Sequence, residues 1–583
     1  MKLLLTGKSI DRFQCKVKKI ANQMGYNFIS LTWTGPMDKQ QRIIFWLLIL
    51  ISLIIFSAFI VPNLTGAKDA AMLSAFEHDE FAQYPNVLHM LQTGDTLKAN
   101  LHNFLVYLHY YYGYPFYFFS ALAILPVKWI LGADWTIHTQ LIVVVLRQMI
   151  NVLPMLLAAF ILVRDQLKST SPWKALITFT FLMLLPAVVR NNLWWHPDSL
   201  LTLFAVLTIF LLIKDRGKFG KFFFLSAFTC ALAIGAKILG VLFVLTYASV
   251  LIYGLITKNL SLKKAFLLAL VFLVVLVVSV VVTNPLLLLP IERGEIIAIF
   301  KANLAQSSQG FWVADNGSAN KLNEVVQIIR DYYGGFLLLC AALLTTIMGL
   351  FNKENRLKNL VILTWVIGYM GYFVIFAATI RTHYFIPAIL PLYATLLDWV
   401  QIDFKNILTH GRNKGKWLHP LASLAFVVAI LIAILFNIRH TATAIFETSK
   451  REETSPSLAM FDTFKTDYLP SLPANTPLIF YRDWRAYVAD DPHWQVIYNW
   501  GLATYGYVEE NQPDFLFIEI DNVYYFSDAS KLEFALDKDT MQAMFDFYSD
   551  VLDEKVNGYH LLHKDDFGYI FVSEVLYKEN FLK

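Results

Sequence analysis

Three carboxylates and a histidine crowd into one short polar stretch, F-E-H-D-E-F-A-Q-Y at 76–84. The adjacent carboxylates Asp79 and Glu80, next to His78, are groups that accept a proton from a hydroxyl or help to hold a divalent cation. An acidic, solvated loop would have the same composition, and the motif alone does not separate the two interpretations. Its position directly after a long apolar segment favours chemistry at a membrane surface.

A second acidic candidate lies in the turn W-W-H-P-D at 194–198. Pro197 followed by Asp198 is typical of a helix start, so one interpretation is that Asp198 only stabilises the positive end of that helix. The other is that Asp198 faces Asp79, as a metal ligand or as a group that orients a substrate. A divalent cation (Mg²⁺, Mn²⁺ or Ca²⁺) held by Asp79, His196 and Asp198 is therefore one hypothesis for this turn.

Groups that suit a phosphate come from other parts of the chain. Lys237 interrupts an apolar stretch, where a lysine is costly unless it snorkels to the surface, pairs with an acid or lines a polar cavity. Arg381, His383 and Tyr384 lie in R-T-H-Y between two apolar segments and offer several donors to an anion, with a simple interfacial anchor as the alternative. Lys301 is a weaker candidate of the same kind.

The composition indicates a membrane protein that crosses the bilayer many times. Its 583 residues are 57% hydrophobic and 16% charged, whereas a soluble domain is about 25% charged. Many apolar runs are near the ~20 residues that span the hydrocarbon core. Only three cysteines are present, and none lies in the hydrophilic C-terminal region. Neither a disulfide framework nor a cysteine zinc site is therefore indicated.

The basic residues orient the chain in the membrane. Residues 1–42 carry eight lysines and arginines against two aspartates, so this tail is predicted to be cytoplasmic. Four later basic connectors also fall inside if the segment 114–131, which contains two prolines, lies along the outer surface without crossing. About eleven transmembrane helices result; twelve crossings with one basic connector outside is the alternative. The connectors are 164–174, 214–221, 352–358 and 405–416.

This topology predicts a polytopic α-helical membrane domain followed by a soluble α/β domain. The membrane domain, 43–436, contains two large outer regions, 62–140 and 290–334. Residues 437–583 form the soluble domain on the outer side, with four short strands and a helix at 531–552. All the candidate site residues then face the outer side of the membrane. The predicted strands are T-P-L-I-F-Y-R, Q-V-I-Y-N-W, P-D-F-L-F-I-E-I and G-Y-I-F-V-S-E-V.

The order of these motifs over about residues 43–400 resembles the GT-C superfamily of polytopic glycosyltransferases. Protein O-mannosyltransferases and lipid A aminoarabinose transferases are the most similar in style. The chain departs from the latter at Tyr112-Gly113-Tyr114-Pro115, where they have Glu-Lys-Pro, and its C-terminal region lacks the repeated motif block of the former. The features that carry the resemblance are the acidic pair after the first span, Thr93-Gly94-Asp95, H-P-D-S-L-L, the A-K-x-x-G break at 236–240 and R-T-H-Y-F-I-P-A.

The resemblance implies transfer of a sugar from a polyprenyl-phosphate carrier to a glycan, lipid or protein acceptor. The transfer would invert the sugar configuration on the outer face of the membrane, most simply a bacterial inner or cell membrane. Asp79 would be the general base with Glu80 beside it, and Asp198 a second acidic group. Lys237, Arg381 and Tyr384 match positions expected to hold the donor phosphate.

Two other functions stay open at this point. A transporter or flippase for a lipid-linked saccharide would place charged residues in mid-membrane and show paired repeats; here the ionisable residues gather at one face and no repeat is found. A non-catalytic component of an envelope-assembly complex would bind through residues 437–583 and keep its function in an Asp79→Asn variant. No motif indicates a nucleic-acid partner.

Overall fold

The computed structural model describes residues 37–310, 312–313, 318–400, 418–500 and 502–582. The predicted cytoplasmic tail up to residue 36 and the basic connector 405–416 lie outside the described residues. The first described helix begins at a capping box. Asp38 accepts a hydrogen bond from the Gln41 amide at 2.8 Å, and the Gln41 side chain accepts one from the Asp38 amide at 3.2 Å. Both amides would otherwise lack a partner at the helix start.

The chain is an integral membrane protein. Within the described ranges, seven helices are long and apolar enough to cross a membrane, and a pair bent by 90° would make eight if it forms one span. Two of the segments predicted to cross contain shorter apolar helices, Trp173–Met183 and Lys221–Ala236. The first of these ends before Pro186, since proline disfavours helix at the preceding residue. The seven are Lys39–Leu64, Tyr114–Ile137, Thr139–Leu167, Ile238–Ile256, Leu262–Thr283, Arg356–Ile375 and Leu421–Ser449.

The segment 114–131, predicted to lie along the outer surface, forms helix Tyr114–Leu131 and continues as a 3₁₀ turn to Ile137. It is one of the seven candidate spans by length and composition, and its placement along the surface stays a prediction. The other helices of residues 37–400 are Lys39–Ala58, Ile60–Leu64, Ala70–Phe76, His78–Met90, Leu97–Leu105, Thr139–Leu146, Arg147–Val152 (π), Leu153–Leu167, Trp173–Met183, Pro186–Asn191, Asp198–Asp215, Lys221–Ala236, Ile238–Leu242 (3₁₀), Phe243–Ile256, Leu262–Thr283, Pro285–Leu288 (3₁₀), Pro290–Gln309, Ser318–Tyr332, Phe336–Phe351, Arg356–Ile375, Thr382–Phe385 (3₁₀) and Ile386–Tyr393.

Helix Asp198–Asp215 lies at the centre of the membrane part. It packs against Lys221–Ala236 on one side and Leu153–Leu167 on another. Most of its residues are buried, and it is apolar around its whole circumference, as expected of a helix surrounded by others. Asp198 is the first residue of this central helix.

The C-terminal region contains a five-stranded mixed sheet in the order β2-β1-β3-β5-β4. All four predicted strands are present, but the edge strand β4 was missed because its sequence, Y-H-L-L-H-K, has little apolar alternation. The helix predicted from residue 531 begins only at Lys538, since Asp537 caps it by accepting from the Thr540 amide at 3.1 Å. The strands are β1 Leu478–Arg482, β2 Trp494–Ile497, β3 Phe515–Glu519, β4 Tyr559–Lys564 and β5 Gly568–Ser573. The helices are Pro456–Thr463, Phe464–Tyr468 (π), Leu469–Ser471 (3₁₀), Tyr505–Asn511, Ile520–Phe526, Ala529–Lys531 (3₁₀), Lys538–Leu552 and Glu574–Asn580.

The sheet region is attached to residues 62–140 as well as to the candidate span Leu421–Ser449. Helix Leu418–Ser449 runs through the predicted domain boundary at 436 without a break, and the division of the chain into domains stays a prediction. Just beyond its end, Glu452 accepts a hydrogen bond from the Gly66 amide at 2.6 Å. The Tyr487 hydroxyl donates to Asp69 at 2.8 Å, and Met72 lies in the same apolar cluster as the sheet residues.

Candidate active site

Asp198 is held between a lysine and two histidines. The Lys237 ammonium donates to its two carboxylate oxygens at 3.1 and 3.2 Å, and the His196 Nδ1 contacts Oδ2. The His383 Nε2 lies 3.8 Å from the same oxygen. Asp198 is fully buried, so the three cationic or ionisable neighbours offset the cost of removing its charge from water. Its role therefore goes beyond stabilising a helix start.

Lys237 reaches Asp198 because the helix that carries it stops there. Helix Lys221–Ala236 ends at this residue, which has extended backbone angles of φ −154° and ψ 131°. The ammonium lies 4.3 Å from the centre of the Tyr384 ring, a favourable cation–π distance. Lys237 thus pairs with an acid, which is one of the three ways in which a lysine is tolerated in an apolar stretch.

His196, Asp198 and His383 form a group with metal-ligand chemistry. One potential ligand atom from each lies within 4.8 Å of the others. Trp194 fixes both imidazoles, since its ring stacks on His196 at 4.2 Å and meets His383 edge-on at 5.1 Å. The predicted set had Asp79 as the third ligand. The structure instead groups His383 with the other two and leaves Asp79 Oδ2 3.7 Å from His196 Nε2.

Asp79 is the open carboxylate of the cluster, with half of its side chain exposed. The Tyr112 hydroxyl lies 3.4 Å from its Oδ2 and 2.7 Å from the Nε2 of His196. The tyrosine therefore connects Asp79 to His196 and, through it, to Asp198. Tyr112 was not among the predicted site residues, although it lies where the sequence departs from Glu-Lys-Pro.

Two glycines allow Tyr112 to approach the lysine-bearing break. A Cβ built on Gly113 would lie 1.8 Å from the carbonyl oxygen of Gly235, and one on Gly235 would lie 2.6 Å from Pro115 Cγ. Neither position has room for a side chain. The two backbones are thus in direct contact, which brings the tyrosine and Lys237 to the same cleft.

Glu80 lies away from this cleft. Its side chain and that of Arg147 are both fully buried and form a bidentate ion pair, with Arg147 Nε donating to Oε1 at 2.8 Å and Nη2 to Oε2 at 2.5 Å. The Trp195 amide also donates to Oε1, at 2.6 Å. Arg147 Nη1 donates to the carbonyls of Asn63 and Thr65, both at 2.9 Å. The ion pair supports the turn that carries His196. Its only signal in the sequence is an arginine inside a predicted span.

Burial shifts the pKa values of the two residues that precede Asp79. Burial, followed by the nearby Arg485 and Arg482, lowers the pKa of His78 to about 3. Burial, followed by Glu80, raises the pKa of Glu77 to about 7. Of the three carboxylates in this stretch, Asp79 is exposed, Glu77 is half-buried and Glu80 is buried.

The remaining predicted residues are placed as follows. Tyr384 belongs to the cluster through its contact with Lys237. Arg381 is exposed and directly precedes the 3₁₀ helix Thr382–Phe385, which carries His383. Lys301 is exposed on helix Pro290–Gln309, in a separate segment of the chain. The fold therefore joins Asp79, Asp198, Lys237, His383 and Tyr384, places Arg381 at their edge and leaves Glu80 and Lys301 apart.

The overall arrangement is similar to that of three solved structures. ArnT from Cupriavidus metallidurans bound to undecaprenyl phosphate is 13% identical, with a TM-score of 0.49 and coverage of 90% of this chain and 97% of that chain. The apo form of the same protein is 14% identical, with a TM-score of 0.48 and the same coverage. The Archaeoglobus fulgidus oligosaccharyltransferase is 12% identical, with a TM-score of 0.47 and coverage of 90% and 74%.

ArnT, a lipid A aminoarabinose transferase, and the oligosaccharyltransferase belong to the GT-C superfamily, which is the superfamily that the sequence resembles. No protein-family model and no curated protein matches the sequence.

Proposed function

We propose that the chain is a GT-C-type glycosyltransferase that moves a sugar from a polyprenyl-phosphate donor to an acceptor, with inversion, on the outer face of the membrane. The observation that carries this proposal is the continuous series of contacts from Lys237 through Asp198 and His196 to Asp79. Three distant segments supply it. A cation for a departing phosphate and a carboxylate base for an incoming hydroxyl are the groups that this reaction requires.

Asp79 is the proposed general base. Its exposed oxygen accepts the proton of the acceptor hydroxyl while the hydroxyl oxygen attacks the anomeric carbon of the donor sugar. The bond from that carbon to the phosphate oxygen breaks on the opposite face, and its electron pair leaves with the polyprenyl phosphate. Attack and departure on opposite faces invert the configuration, and no covalent enzyme intermediate is needed because the phosphate is already a good leaving group.

Lys237 is the proposed phosphate-binding cation, with Tyr384 beside it and Arg381 at the edge. Asp198 acts through its neighbours: it holds the Lys237 ammonium and the His196 ring in fixed positions. The exposed Lys301 would bind the donor phosphate only if its own segment approached the cluster. His196, Asp198 and His383 would hold a divalent cation, which would neutralise charge on the departing phosphate. Imidazole ligands suit Zn²⁺ better than Mg²⁺, Mn²⁺ or Ca²⁺.

A transfer assay on the purified protein tests the proposal, with a panel of polyprenyl-phosphate sugars and added Mg²⁺, Mn²⁺, Ca²⁺ or Zn²⁺. We expect turnover of at least one donor and a loss of about 10²–10⁴-fold in Asp79→Asn. Asp134→Asn, which removes an exposed carboxylate from the same outer region, is the matched control and keeps wild-type activity. A folded wild-type protein that turns over none of the donors would overturn the proposal in favour of a transporter or a non-catalytic component.

A further inference from the structure

One buried tyrosine hydroxyl of the membrane part lacks a hydrogen-bond partner. Tyr369 lies on helix Arg356–Ile375 and has no exposed surface. Its hydroxyl has no partner in the part of the chain that the structure describes. The hydroxyl of Tyr333, which is equally buried, donates to the Thr382 carbonyl at 2.6 Å. Because most buried polar groups are paired and an unpaired one is costly, the Tyr369 hydroxyl requires an explanation.

A row of aromatic rings connects Tyr369 to the lysine of the candidate site. The Tyr369 ring centre lies 5.4 Å from that of Phe373, one turn further along the same helix. Phe373 stacks on Tyr384 at 5.1 Å, and the Lys237 ammonium lies 4.3 Å from the centre of the Tyr384 ring. On its other side, Tyr369 contacts Trp365 at 4.8 Å. The ring is thus packed between two aromatic neighbours, which orders it before any ligand arrives.

The charge of the candidate site acts on this hydroxyl. Among the ionisable groups around Tyr369, Asp198 has the largest electrostatic effect on it. The helix that carries Tyr369 also packs against the 3₁₀ helix Ile238–Leu242, which directly follows Lys237. The unpaired hydroxyl therefore lies within electrostatic reach of the Lys237–Asp198 pair.

Hydrogen-bond donors are in surplus around this pair. Lys237, Tyr369 and Tyr384 all bring donor hydrogens, and a lysine ammonium has no acceptor. Both oxygens of Asp198 already accept from Lys237, and His196 contacts one of them. The surplus fits a ligand made of acceptor oxygens. A phosphate is such a ligand and carries the negative charge that an ammonium attracts, whereas a water or a sugar hydroxyl adds a donor of its own.

We propose that the Tyr369 hydroxyl donates a hydrogen bond to a phosphate oxygen of the bound polyprenyl-phosphate donor. The same bond would stabilise the negative charge that the phosphate gains when its bond to the sugar breaks. Tyr369 is then a substrate-binding residue in addition to Lys237 and Tyr384. The identity of the ligand as a sugar donor rests on the proposed function, whereas binding of a lipid-linked phosphate through Tyr369 is measured without any transfer.

Binding of undecaprenyl phosphate to the full-length protein in nanodiscs tests the proposal. Undecaprenol, which lacks the phosphate, is the reference probe. We expect the wild type to bind undecaprenyl phosphate more tightly than undecaprenol. Tyr369→Phe should bind undecaprenyl phosphate about 10–100-fold more weakly, because it loses a hydrogen bond to a charged group, and should bind undecaprenol as the wild type does.

Thermal unfolding without lipid ligand separates a ligand-binding hydroxyl from a structural one. Since the Tyr369 hydroxyl has no partner to lose, Tyr369→Phe should keep the wild-type Tm or raise it. Tyr247→Phe is the matched control, because the buried Tyr247 hydroxyl donates to Ser226 Oγ at 3.0 Å. This control lowers the Tm and keeps lipid binding. A Tm for Tyr369→Phe as low as that of Tyr247→Phe would reveal a partner inside the folded protein and overturn the proposal.

The outcomes of the binding measurement separate this proposal from the proposed function. Equal binding of undecaprenyl phosphate by the wild type and Tyr369→Phe overturns the role of Tyr369 and does not affect the transfer reaction. Binding that depends on Tyr369, in a protein that transfers no sugar, keeps the phosphate site and overturns the proposed function. If the wild type binds undecaprenyl phosphate and undecaprenol equally, the phosphate assignments of Lys237 and Tyr369 both fail.

Discussion

Asp79 and Glu80 are adjacent in one helix, and their surroundings separate the reactive surface of the molecule from its support. Asp79 is half exposed and has a tyrosine hydroxyl and an imidazole near it. Glu80 has no exposed surface, and both of its oxygens bind Arg147. Successive residues of an α-helix point about 100° apart, so an acidic pair sends one carboxylate to the cleft and the other to the interior.

Glu80 determines where the Asp79 carboxylate acts. Glu80 binds the amide of Trp195, which directly precedes His196, while Asp79 on the same helix turn approaches the His196 ring. The helix and the turn are thus joined behind the cleft. The distance from Asp79 to the imidazole therefore depends on a residue that never meets a substrate.

The largest expected effect comes from Glu80→Gln. The variant leaves Arg147 buried without a countercharge, which costs about 3–5 kcal/mol, whereas Asp79→Asn changes a half-exposed group and leaves stability nearly unchanged. Thermal unfolding of the two purified variants in detergent measures the difference. A Tm for Glu80→Gln as high as that of Asp79→Asn would show that the ion pair does not support the fold.

A double-mutant cycle measures the coupling between Glu80 and Arg147. Removal of both charges in Glu80→Gln with Arg147→Met eliminates the unpaired buried ion, so the double variant is more stable than the sum of the two single losses predicts. We expect a coupling energy of about 1–3 kcal/mol. The glutamine oxygen still accepts from the Trp195 amide, and additive losses in urea or thermal unfolding would contradict the assigned pairing.

Gly235→Ala changes the cleft around Asp79 without altering either carboxylate. The new methyl group overlaps Pro115 and pushes the Tyr112 segment outward, at a cost of about 1–3 kcal/mol. We expect lower transfer activity together with this loss of stability. Gly371→Ala is the matched control, because its Cβ meets no atom within 4 Å and alanine favours a helix; an equal effect of both variants would exclude the close contact as the cause.

The smallest expected effect concerns Glu519, another buried carboxylate, which lacks a partner as close as Arg147 is to Glu80. Burial, followed by Asp483, raises the pKa of Glu519 from 4.5 to about 7, and Arg485 lies 3.6 Å away but is 58% exposed. Because the folded-state pKa is above the unfolded value, the stabilising contribution is complete below about pH 4.5 and is lost as the pH rises through 7.

Glu519→Gln keeps the neutral form at every pH. Its Tm should match that of the wild type near pH 4 and exceed it by about 2 °C at pH 8. The exposed Glu509→Gln in the same region serves as the control and shows no such trend. A Tm difference that does not change between pH 4 and pH 8 would contradict the raised pKa.

The grouping of Asp79, Asp198 and Lys237 in one place was predicted from the sequence, because the basic connectors predict that all three face the same side of the membrane. The family resemblance was predicted from the order of motifs along the chain. The sheet region was predicted from the periodicity of its apolar residues, which is a local property of the sequence. His383 and Tyr384 were predicted from their donors, and the structure places both against the other groups.

What the sequence did not show depends on directions in space. The roles of Glu80 and Arg147 depend on the rotation of a helix and on a partner 67 residues away. Tyr112 enters the site only because two glycine backbones touch. The predicted metal set contained Asp79 where the structure has His383. The place of His383 beside His196 and Asp198 likewise depends on how a 3₁₀ turn packs against Trp194.

Helix Leu418–Ser449 is longer than a membrane crossing requires. Its 32 residues measure about 48 Å, whereas the hydrocarbon core is about 30 Å thick. Just beyond its end, Arg451 donates hydrogen bonds to Thr65. The surplus length of the helix is thus tied to the segment that leads to Asp79, so the sheet region and that segment are expected to move together.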